Sequence, residues 1–390
     1  MAASPRLWIT SFARQSILSA LTSAISSGYL IVDDAEGSHA YGSNEKGCNL
    51  VHIKVRNDNF WLRLMLSGDL GFSEAYMIGE IELPDLRAAM NLWLDNQSAM
   101  EDTLSSTFSR ITSTLSSFYN SFLGQTKSNA RLNVIASYDQ SNELFKAFLS
   151  SEMMYSCALW DESEGGVRGD LEIGPTPGDL EAAQRRKIHY VLRQARLKPG
   201  YRVLEFGSGW GGLAIEKTLA EERIAAAGLS DKIRVHLLDY RDIPSEWENA
   251  FDAFVSVEML EHVGSKHYSN YFRLVSFALK PHNATAVVSA STFPESRYSS
   301  YQAEDFMRKY MWPNSCLPSA SALIQAASPH FNLERWGRRL EKNLTQEMYE
   351  AFKRKWMYLF AYAGAGFAKG YITCHMLTFI RENDAPEMCD

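Results

Sequence analysis

Four groups of residues in this 390-residue sequence could support chemistry. The first is the glycine turn in VLEFGSGWGG, where an apolar run ending at Phe206 meets Gly207 and Gly209. Glycines let a ligand approach the backbone, and such turns lie where open α/β sheets bind ligands. The turn is not G-x-G-x-x-G, and Glu205 precedes it, so it favours S-adenosylmethionine, whose cationic methionine part the acid can face. A tight turn without a ligand is the alternative.

The second group lies in LLDY, at the end of the next predicted strand, IRVHLLDY. Asp239 and Tyr240 would then stand at the carboxyl edge of the sheet. There a carboxylate can accept a hydrogen bond from the exocyclic amine of an adenine, and an aromatic ring can pack on the base. A helix N-cap at Asp239 or Asp242 is the alternative.

The third and fourth groups supply candidate acids, bases and a thiol. In SVEMLEHVG, which follows another predicted strand, Glu261 and His262 are candidates for acid–base work. A capped helix start with a structural histidine is the alternative. In MMYSCALW, Cys157 stands between Ser156 and Ala158. A lone cysteine in such a setting is ordinarily a buried core residue.

Taken together and in order, five segments resemble the cyclopropane-fatty-acyl-phospholipid synthase family, which includes the mycolic acid cyclopropane synthases and related S-adenosylmethionine-dependent lipid methyltransferases. The segments are MMYSCALW, VLEFGSGWGGLAIE, SVEMLEHVG, KYMWPNSCLPS and FKRKWMYLFAYAGAGFAKGYI. The segment LMLSGDLGFSEAYMIGEIELPDL is similar to the small lipid-binding-like domain of two-domain members. The resemblance covers roughly residues 30–385.

The resemblance implies methyl transfer from S-adenosylmethionine to the cis double bond of an unsaturated phospholipid acyl chain. The alkene attacks the sulfonium methyl, a carbocation forms, and loss of a proton from the bridging methyl closes a cyclopropane ring. In the family a bicarbonate ion is thought to take that proton, and an anion also stabilises the cation. The alternatives are methylation of another lipid or a small metabolite, and a catalytically impaired lipid-binding relative.

Residue roles follow from the resemblance, motif by motif. Cys157 and Glu261 match the family residues that hold the bicarbonate, and they are the candidate catalytic residues. Tyr155 and Ser156 match positions near the methionine part of the cofactor.

The same matching assigns the rest of the cofactor site. Gly207 and Gly209 match the cofactor turn, and Tyr240 and Arg241 lie where the family contacts the adenine. S-adenosylmethionine and bicarbonate are thus the implied cofactors, and no metal site is predicted.

One departure from the family pattern concerns the sheet. Only residues 208–232, 25 in all, separate Gly207 from the strand predicted at Ile233. Two helices, an intervening strand and their loops need roughly 35 residues. The second strand, whose end usually contacts the cofactor ribose, is therefore predicted to be missing, and the 25 residues to form one helix.

Further departures lie downstream. A segment with a tyrosine that reaches the bicarbonate has no counterpart where Arg335 adjoins Trp336, and another gap falls between Glu347 and Met348. The histidine that many members place after the next strand falls at Ser289. Clean gaps between well-matched segments favour missing exons; a genuine, catalytically weakened paralogue is the alternative.

The elements that must position these motifs form two predicted domains. Residues 1–125 are a small α+β domain with a linker, and residues 126–390 are a catalytic α/β domain. Strands alternating with helices after residue 201 predict a doubly wound, mostly parallel sheet, which under the resemblance is the Rossmann-like fold of class I methyltransferases. The boundary is placed in the Ser/Thr-rich stretch 97–130. The N-terminus is predicted to be an amphipathic helix, with a transit peptide as the alternative.

Composition narrows the class of protein. Apolar residues make up 46% and charged residues 22%, as in globular domains, and the net charge of −7 gives no support for a nucleic-acid binder. Five scattered cysteines without a C-x-x-C pair argue against a disulfide scaffold or a structural zinc site, and favour a reducing, cytoplasmic compartment. No apolar run could span a membrane. Because the resemblance implies phospholipid acyl chains as substrates, peripheral contact with a membrane is expected. The sequence leaves open whether the chain forms a homodimer.

Overall fold

The computed structural model describes residues 5–45, 48–104, 145, 149–150, 153–166, 176–207, 214–313, 315–339, 350–381 and 384. They group into two compact units. One contains the described parts of 1–124, 301–313 and 345–369, and the other those of 125–300, 314–344 and 370–390. The domain boundary predicted near residue 125 lies outside the described residues. Two later segments, 301–313 and 345–369, group with the N-terminal part of the chain rather than with the second unit.

The first unit combines helices with a four-stranded sheet in the order β2-β1-β3-β4. Strand β1 is antiparallel to β2 and parallel to β3, and β3 is antiparallel to β4. The elements are α1 (Pro5–Ala24), β1 (Tyr29–Asp34), β2 (Gly37–Gly42), β3 (Leu50–Val55), α2 (Asn59–Ile78), β4 (Ile81–Glu82), α3 (Leu86–Asp95), α4 (Gln97–Leu104), a π-helical turn (Met307–Met311) and a late helix (Glu350–Ala368), which becomes α9 in chain order.

Helix α1 has one buried and one exposed apolar face. Ala13, Ile17 and Leu21 are buried at the four-residue spacing that lines one face of a helix. The guanidinium of Arg14 is also buried, and its Nε lies 2.7 Å from Asp34 Oδ2. The predicted helix is therefore confirmed for Pro5–Ala24.

The aromatic run of α9 belongs to the core of the first unit. Tyr358 is buried, and its ring centroid lies 4.5 Å from that of Phe306 and 6.0 Å from that of Tyr76. Arg354 Nη1 donates hydrogen bonds to the carbonyls of Tyr76 (2.9 Å) and Ile81 (3.3 Å). Burial of this kind is what core packing predicts for a stripe of aromatic residues.

The second unit is built on a five-stranded sheet in the order β5-β6-β7-β9-β8. Strands β5, β6 and β7 are parallel, and β9 runs antiparallel to both β7 and β8. The predicted mostly parallel sheet is thus confirmed. The elements are α5 (Asp179–Gln194), β5 (Val203–Phe206), α6 (Ala214–Ala226), β6 (Ala253–Val257), α7 (Tyr268–Ala278), β7 (Thr285–Thr292), α8 (Ala320–Ala327), β8 (Asn332–Arg339) and β9 (Thr373–Ile380).

Aromatic rings fill the space between the sheet and α7. The ring of Phe206, the last residue of β5, lies 4.9 Å from Phe254 and 5.9 Å from Tyr271, both in edge-on geometry. Phe272 meets Phe379 of β9 at 5.4 Å. Such pairs add to the burial of apolar area, so they fix α7 and the carboxyl end of β5 against each other.

The segment after α6 corrects one prediction and confirms another. Within the described residues a single helix, α6, lies between β5 and residue 233, so the second strand is missing as predicted. The strand predicted at IRVHLLDY is wrong: 233–238 has no strand pairing, and Ile233, Leu237 and Leu238 are 45%, 47% and 38% exposed. The missing second strand explains why 233–238 forms no strand. A β-strand forms only when its backbone hydrogen-bonds to a neighbouring strand, and without the second strand 233–238 has no neighbour to connect it with β5.

Candidate functional site

Helix α5 fixes the extended segment that carries MMYSCALW. The backbone N–H of Leu159 donates to the carbonyl of Ala183 (3.2 Å), and Arg186 Nη1 donates to the carbonyl of Leu159 (2.6 Å). Gln184 Nε2 donates to the carbonyl of Ser156 (2.8 Å). Two side chains and one backbone carbonyl of α5 thus hold a stretch of chain that lies outside the described sheet.

A buried lysine amine lies beside this segment. Lys187 Nζ donates a hydrogen bond to Ser156 Oγ. Burial lowers the pKa of Lys187, and electrostatic interaction with Glu258 acts in the opposite direction. The Ser156 hydroxyl is therefore engaged by the Lys187 amine. The ring of Tyr155, the neighbouring predicted residue, packs edge-on against the ring of Phe145, with the centroids 5.5 Å apart. Its assigned role near the methionine part stays a prediction.

Cys157 meets a carboxylate that the sequence analysis did not select. The backbone N–H of buried Cys157 donates to Glu258 Oε1 at 2.6 Å. Glu258 follows β6 directly with a φ of 51°, and its own N–H donates to the carbonyl of Ser289 at 2.8 Å. Its position immediately after an apolar strand, three residues before Glu261, was the available signal.

Glu261 lies in the 3-10 turn Leu260–His262, where its carboxyl group is buried. Its Oε1 accepts a hydrogen bond from the backbone N–H of Ser291 (2.5 Å), and its Oε2 is buried with no hydrogen-bond partner among the described residues. Burial, and secondly the nearby charge of Glu258, raise the pKa of Glu261 to about 8. At pH 7 the carboxyl is therefore largely protonated, with the proton on the unpartnered oxygen.

The neighbouring histidine differs in its protonation. Desolvation lowers the pKa of His262 to about 4, so its ring is neutral at pH 7. Of the two acid–base candidates in SVEMLEHVG, Glu261 is therefore the one that carries a dissociable proton near neutral pH.

The glycine turn begins as predicted at the end of β5. Gly207 has a φ of +70°, and a Cβ at this position would lie 3.0 Å from Met259 Cβ. Both facts require glycine. Because Met259 stands between Glu258 and Glu261 in the chain, the turn lies against the same loop that carries both acids. Glu205 is exposed on β5, and Gly209 lies outside the described residues.

Residues 239–241 form a compact polar and aromatic turn. Asp239 accepts a hydrogen bond from the Arg241 N–H (2.9 Å), and its Oδ2 lies 2.6 Å from Arg241 Nη2. The capping alternative for Asp239 is therefore present in the structure, and its predicted location at the end of a strand is not. Tyr240 packs on Phe206 and Tyr271, with centroids 6.0 and 5.6 Å away.

The hydroxyl of Tyr240 is a buried polar group without a hydrogen-bond partner among the described residues. Burial raises the pKa of Tyr240 to about 12. Through Phe206 its ring lies beside the end of β5, so the structure brings Tyr240 and the glycine turn together although no strand precedes Tyr240. An unpaired buried hydroxyl carries a free-energy cost, which a ligand can relieve.

The chain is similar in sequence to known enzymes. The sequence profile described as mycolic acid cyclopropane synthetase matches residues 125–377. The chain is 32% identical over 367 residues to tuberculostearic acid methyltransferase of Mycobacterium tuberculosis, which covers 84% of this chain and 82% of that protein. It is also 32% identical over 308 residues to cyclopropane-fatty-acyl-phospholipid synthase of Escherichia coli, covering 73% of this chain and 71% of that protein.

One solved structure shows the same fold. Coclaurine N-methyltransferase, bound to N-methylheliamine and SAH, superposes with a TM-score of 0.56 at 12% identity, over 79% of this chain and 98% of that one. At this identity the likeness concerns the fold alone, and it agrees with the predicted α/β architecture.

Proposed function

Because the chain belongs to the mycolic acid cyclopropane synthetase family of S-adenosylmethionine-dependent methyltransferases, we propose that it methylates the cis double bond of unsaturated phospholipid acyl chains and forms cyclopropane fatty acids. The supporting observation is the buried, unpartnered Oε2 of Glu261. A protonated carboxyl in that position is a hydrogen-bond donor held ready for an anion inside an apolar site, which is what a reaction through a carbocation requires.

The residues around Glu261 fit a bicarbonate ion in part. A proton on Oε2 can be donated to the anion, while Oε1 is held by the backbone N–H of Ser291. The N–H of Cys157 is already donated to Glu258, so Cys157 would reach the anion through its thiol. When bound, bicarbonate supplies the base that the reaction needs. Glu261 would hold it, and Lys187 would offset its charge.

Support for the cofactor is also partial. Gly207, in the left-handed region, fits S-adenosylmethionine by allowing close approach to the backbone. The half-buried ring of Tyr240 fits it by offering an aromatic face. The strand that usually contacts the ribose is missing from the described sheet. We therefore propose weak cofactor binding for the chain as it stands.

The proposed reaction is tested with methyl-labelled S-adenosylmethionine and vesicles of a cis-monounsaturated phospholipid. We expect slow formation of an acyl chain that is heavier by one CH2 and has the high-field NMR signals of a cyclopropane ring. A labelled chain with a branched methyl or methylene group would instead support the second candidate, which the 32% identity to tuberculostearic acid methyltransferase favours. Vesicles of a fully saturated phospholipid are the control, and label in them would contradict both candidates.

We also propose that α1 makes peripheral contact with the cytoplasmic face of a membrane. Trp8, Ile9 and Phe12 on this helix are 67%, 41% and 54% exposed, and the Trp8 and Phe12 rings stack 6.0 Å apart. Exposed aromatic residues on a helix with a buried opposite face are typical of an interfacial anchor. No helix among the described residues is long and apolar enough to cross a bilayer.

The double substitution W8A/F12A should weaken cosedimentation with phospholipid vesicles roughly tenfold or more, because two aromatic side chains lose apolar burial. The matched control is Leu192→Ala, which removes an exposed apolar side chain from α5 in the second unit. Equal vesicle binding by the double variant and the unaltered protein would rule out α1 as the anchor.

A further inference from the structure

We propose that Cys157, Glu258 and Cys374 form a zinc-binding site. The two thiol sulfurs and a carboxylate oxygen all lie within 4.8 Å of one another. Cys374 Sγ lies 3.8 Å from Glu258 Oε1. Both cysteines are buried, and Glu258 is half-buried. The sequence analysis predicts no metal site because the cysteines are scattered, but the fold brings two of them to one point.

Three separate parts of the second unit supply the ligands. Cys157 lies on the segment held by α5, Glu258 follows β6, and Cys374 lies on β9 opposite Ser291 of β7. Because β7 pairs with both β6 and β9, the sheet fixes the separation of Glu258 and Cys374. Ser289 Oγ lies 3.5 Å from Cys374 Sγ, and an outer hydroxyl of this kind orients a thiol ligand.

The chemical types of the three ligands favour zinc over other metal ions. Two thiolates and one carboxylate suit Zn²⁺, which binds sulfur at about 2.3 Å and oxygen at about 2.0–2.2 Å. Around a tetrahedral ion such ligands stand about 3.3–3.8 Å apart, so the present cluster needs to contract by only about 1 Å. Water would occupy the fourth position. A Cys157 thiolate that binds zinc cannot also contact the bicarbonate, so the zinc-bound form would be an inhibited form of the proposed enzyme.

The charges of the site balance once the metal binds. Binding replaces the two thiol protons, which are released to solvent, and leaves two thiolates and a carboxylate around a divalent cation. The net charge of −1 then faces the nearby ammonium of Lys187, which interacts electrostatically with all three ligands. No oxidant or reductant is required.

Cobalt(II) serves as the spectroscopic probe, because thiolate ligands give an intense near-ultraviolet charge-transfer band. Titrating the full chain should produce this band at one equivalent of cobalt, and Zn²⁺ should displace it. C157S and C374S should each reduce the band and weaken zinc binding at least tenfold, and E258Q should weaken zinc binding similarly. The matched control is C48S, which changes a cysteine of the first unit and should leave the titration unchanged.

A second measurement uses the unaltered protein, so it does not depend on the folding of any variant. Zinc should slow the alkylation of Cys157 and Cys374 by iodoacetamide, read by peptide mass spectrometry over a long incubation in which transient opening exposes these buried thiols, while Cys48 is alkylated at its zinc-free rate. Absence of the cobalt band, or equal alkylation of Cys157 and Cys374 with and without zinc, would overturn the proposal. Neither readout depends on methyl transfer, so failure of the proposed function would leave these results unaffected.

Discussion

Inserting the family's second-strand segment, about 20 residues, after Glu216 is expected to tighten S-adenosylmethionine binding at least about a hundredfold, or ~3 kcal/mol. The donor segment is the corresponding part of the Escherichia coli cyclopropane-fatty-acyl-phospholipid synthase. A strand added beside β5 would supply the missing contacts to the ribose. It would also give 233–238 the neighbour that its backbone lacks, and would bury Ile233, Leu237 and Leu238.

Two measurements check this expectation. Calorimetric titration gives the affinity for S-adenosylmethionine before and after insertion, and hydrogen exchange reports whether the amides of 233–238 become protected as a strand forms. An insert of equal length made of glycine and serine is the control, and it should change neither. If the unaltered chain already binds the cofactor as tightly as the restored one, the missing strand does not limit cofactor binding.

Full turnover is expected to require insertion of a second family segment as well. The tyrosine-bearing segment of the family has no counterpart at Arg335, and β8 (Asn332–Arg339) passes through this point with a register shift between Leu333 and Arg335. Removing one hydrogen-bond donor from a preorganised site costs on the order of 3 kcal/mol in the activation free energy. The strand insertion alone should therefore recover binding more than turnover, and adding the second segment should recover both.

The second large expected effect concerns Glu261→Gln, which should stabilise the protein above neutral pH. The pKa of Glu261 is raised to about 8 in the folded state, compared with about 4.3 in an unfolded chain. Between these values the folded state holds a proton that the unfolded state has lost. The free energy of unfolding therefore falls as pH rises through this window, by up to about 1.4 kcal/mol per pH unit. Glutamine mimics the protonated carboxyl and removes this loss.

Urea unfolding at pH 5 and pH 8 measures the effect. We expect the variant to gain on the order of 2–4 kcal/mol over the unaltered protein at pH 8, and much less at pH 5. Glu248→Gln, which changes an exposed carboxylate, is the control and should show little difference at either pH. A Glu261→Gln variant that is no more stable at pH 8 than at pH 5, relative to the unaltered protein, would show that Glu261 is ionised in the folded state.

The same substitution separates stability from activity. Glutamine can still donate a hydrogen bond to an anion, but it cannot exchange a proton with it. In the strand-restored chain we therefore expect turnover to fall about tenfold to a hundredfold, with little change in S-adenosylmethionine affinity. Cys157→Ser should act in the same direction. A restored chain whose turnover is indifferent to Glu261→Gln would refute the catalytic role.

Local patterns predicted much of the second unit. The strand ending at Phe206, the single helix after the glycine turn and the strand before SVEMLEHVG, which is β6, all form where the sequence predicts them. IRVHLLDY failed because a β-prone sequence does not determine its own partner. Strands β8 and β9 were not predicted, because each is defined by pairing across about 40 residues of chain.

The candidate site could likewise be predicted only where its residues lie in short sequence motifs. Glu261 and the Gly207 turn lie in short motifs and were found from the sequence. Glu258 was overlooked beside Glu261, and Lys187 looked like one of several charges on an amphipathic helix. Contacts between residues as distant as Cys157 and Glu258, 101 positions apart, have no sequence signature. The roles of Cys157, Glu261 and the cofactor residues remain predictions.

The discontinuous first unit has a consequence for synthesis on the ribosome. Chains generally fold domain by domain as they emerge, but α2 and α3 pack on a helix formed by residues 350–368. The surface around Tyr76 that contacts Tyr358 and Arg354 must therefore stay uncovered until residues 350–368 have been translated. During that interval the nascent chain displays apolar surface of the kind that chaperones recognise. A gene cut after codon 125 would make that exposure permanent.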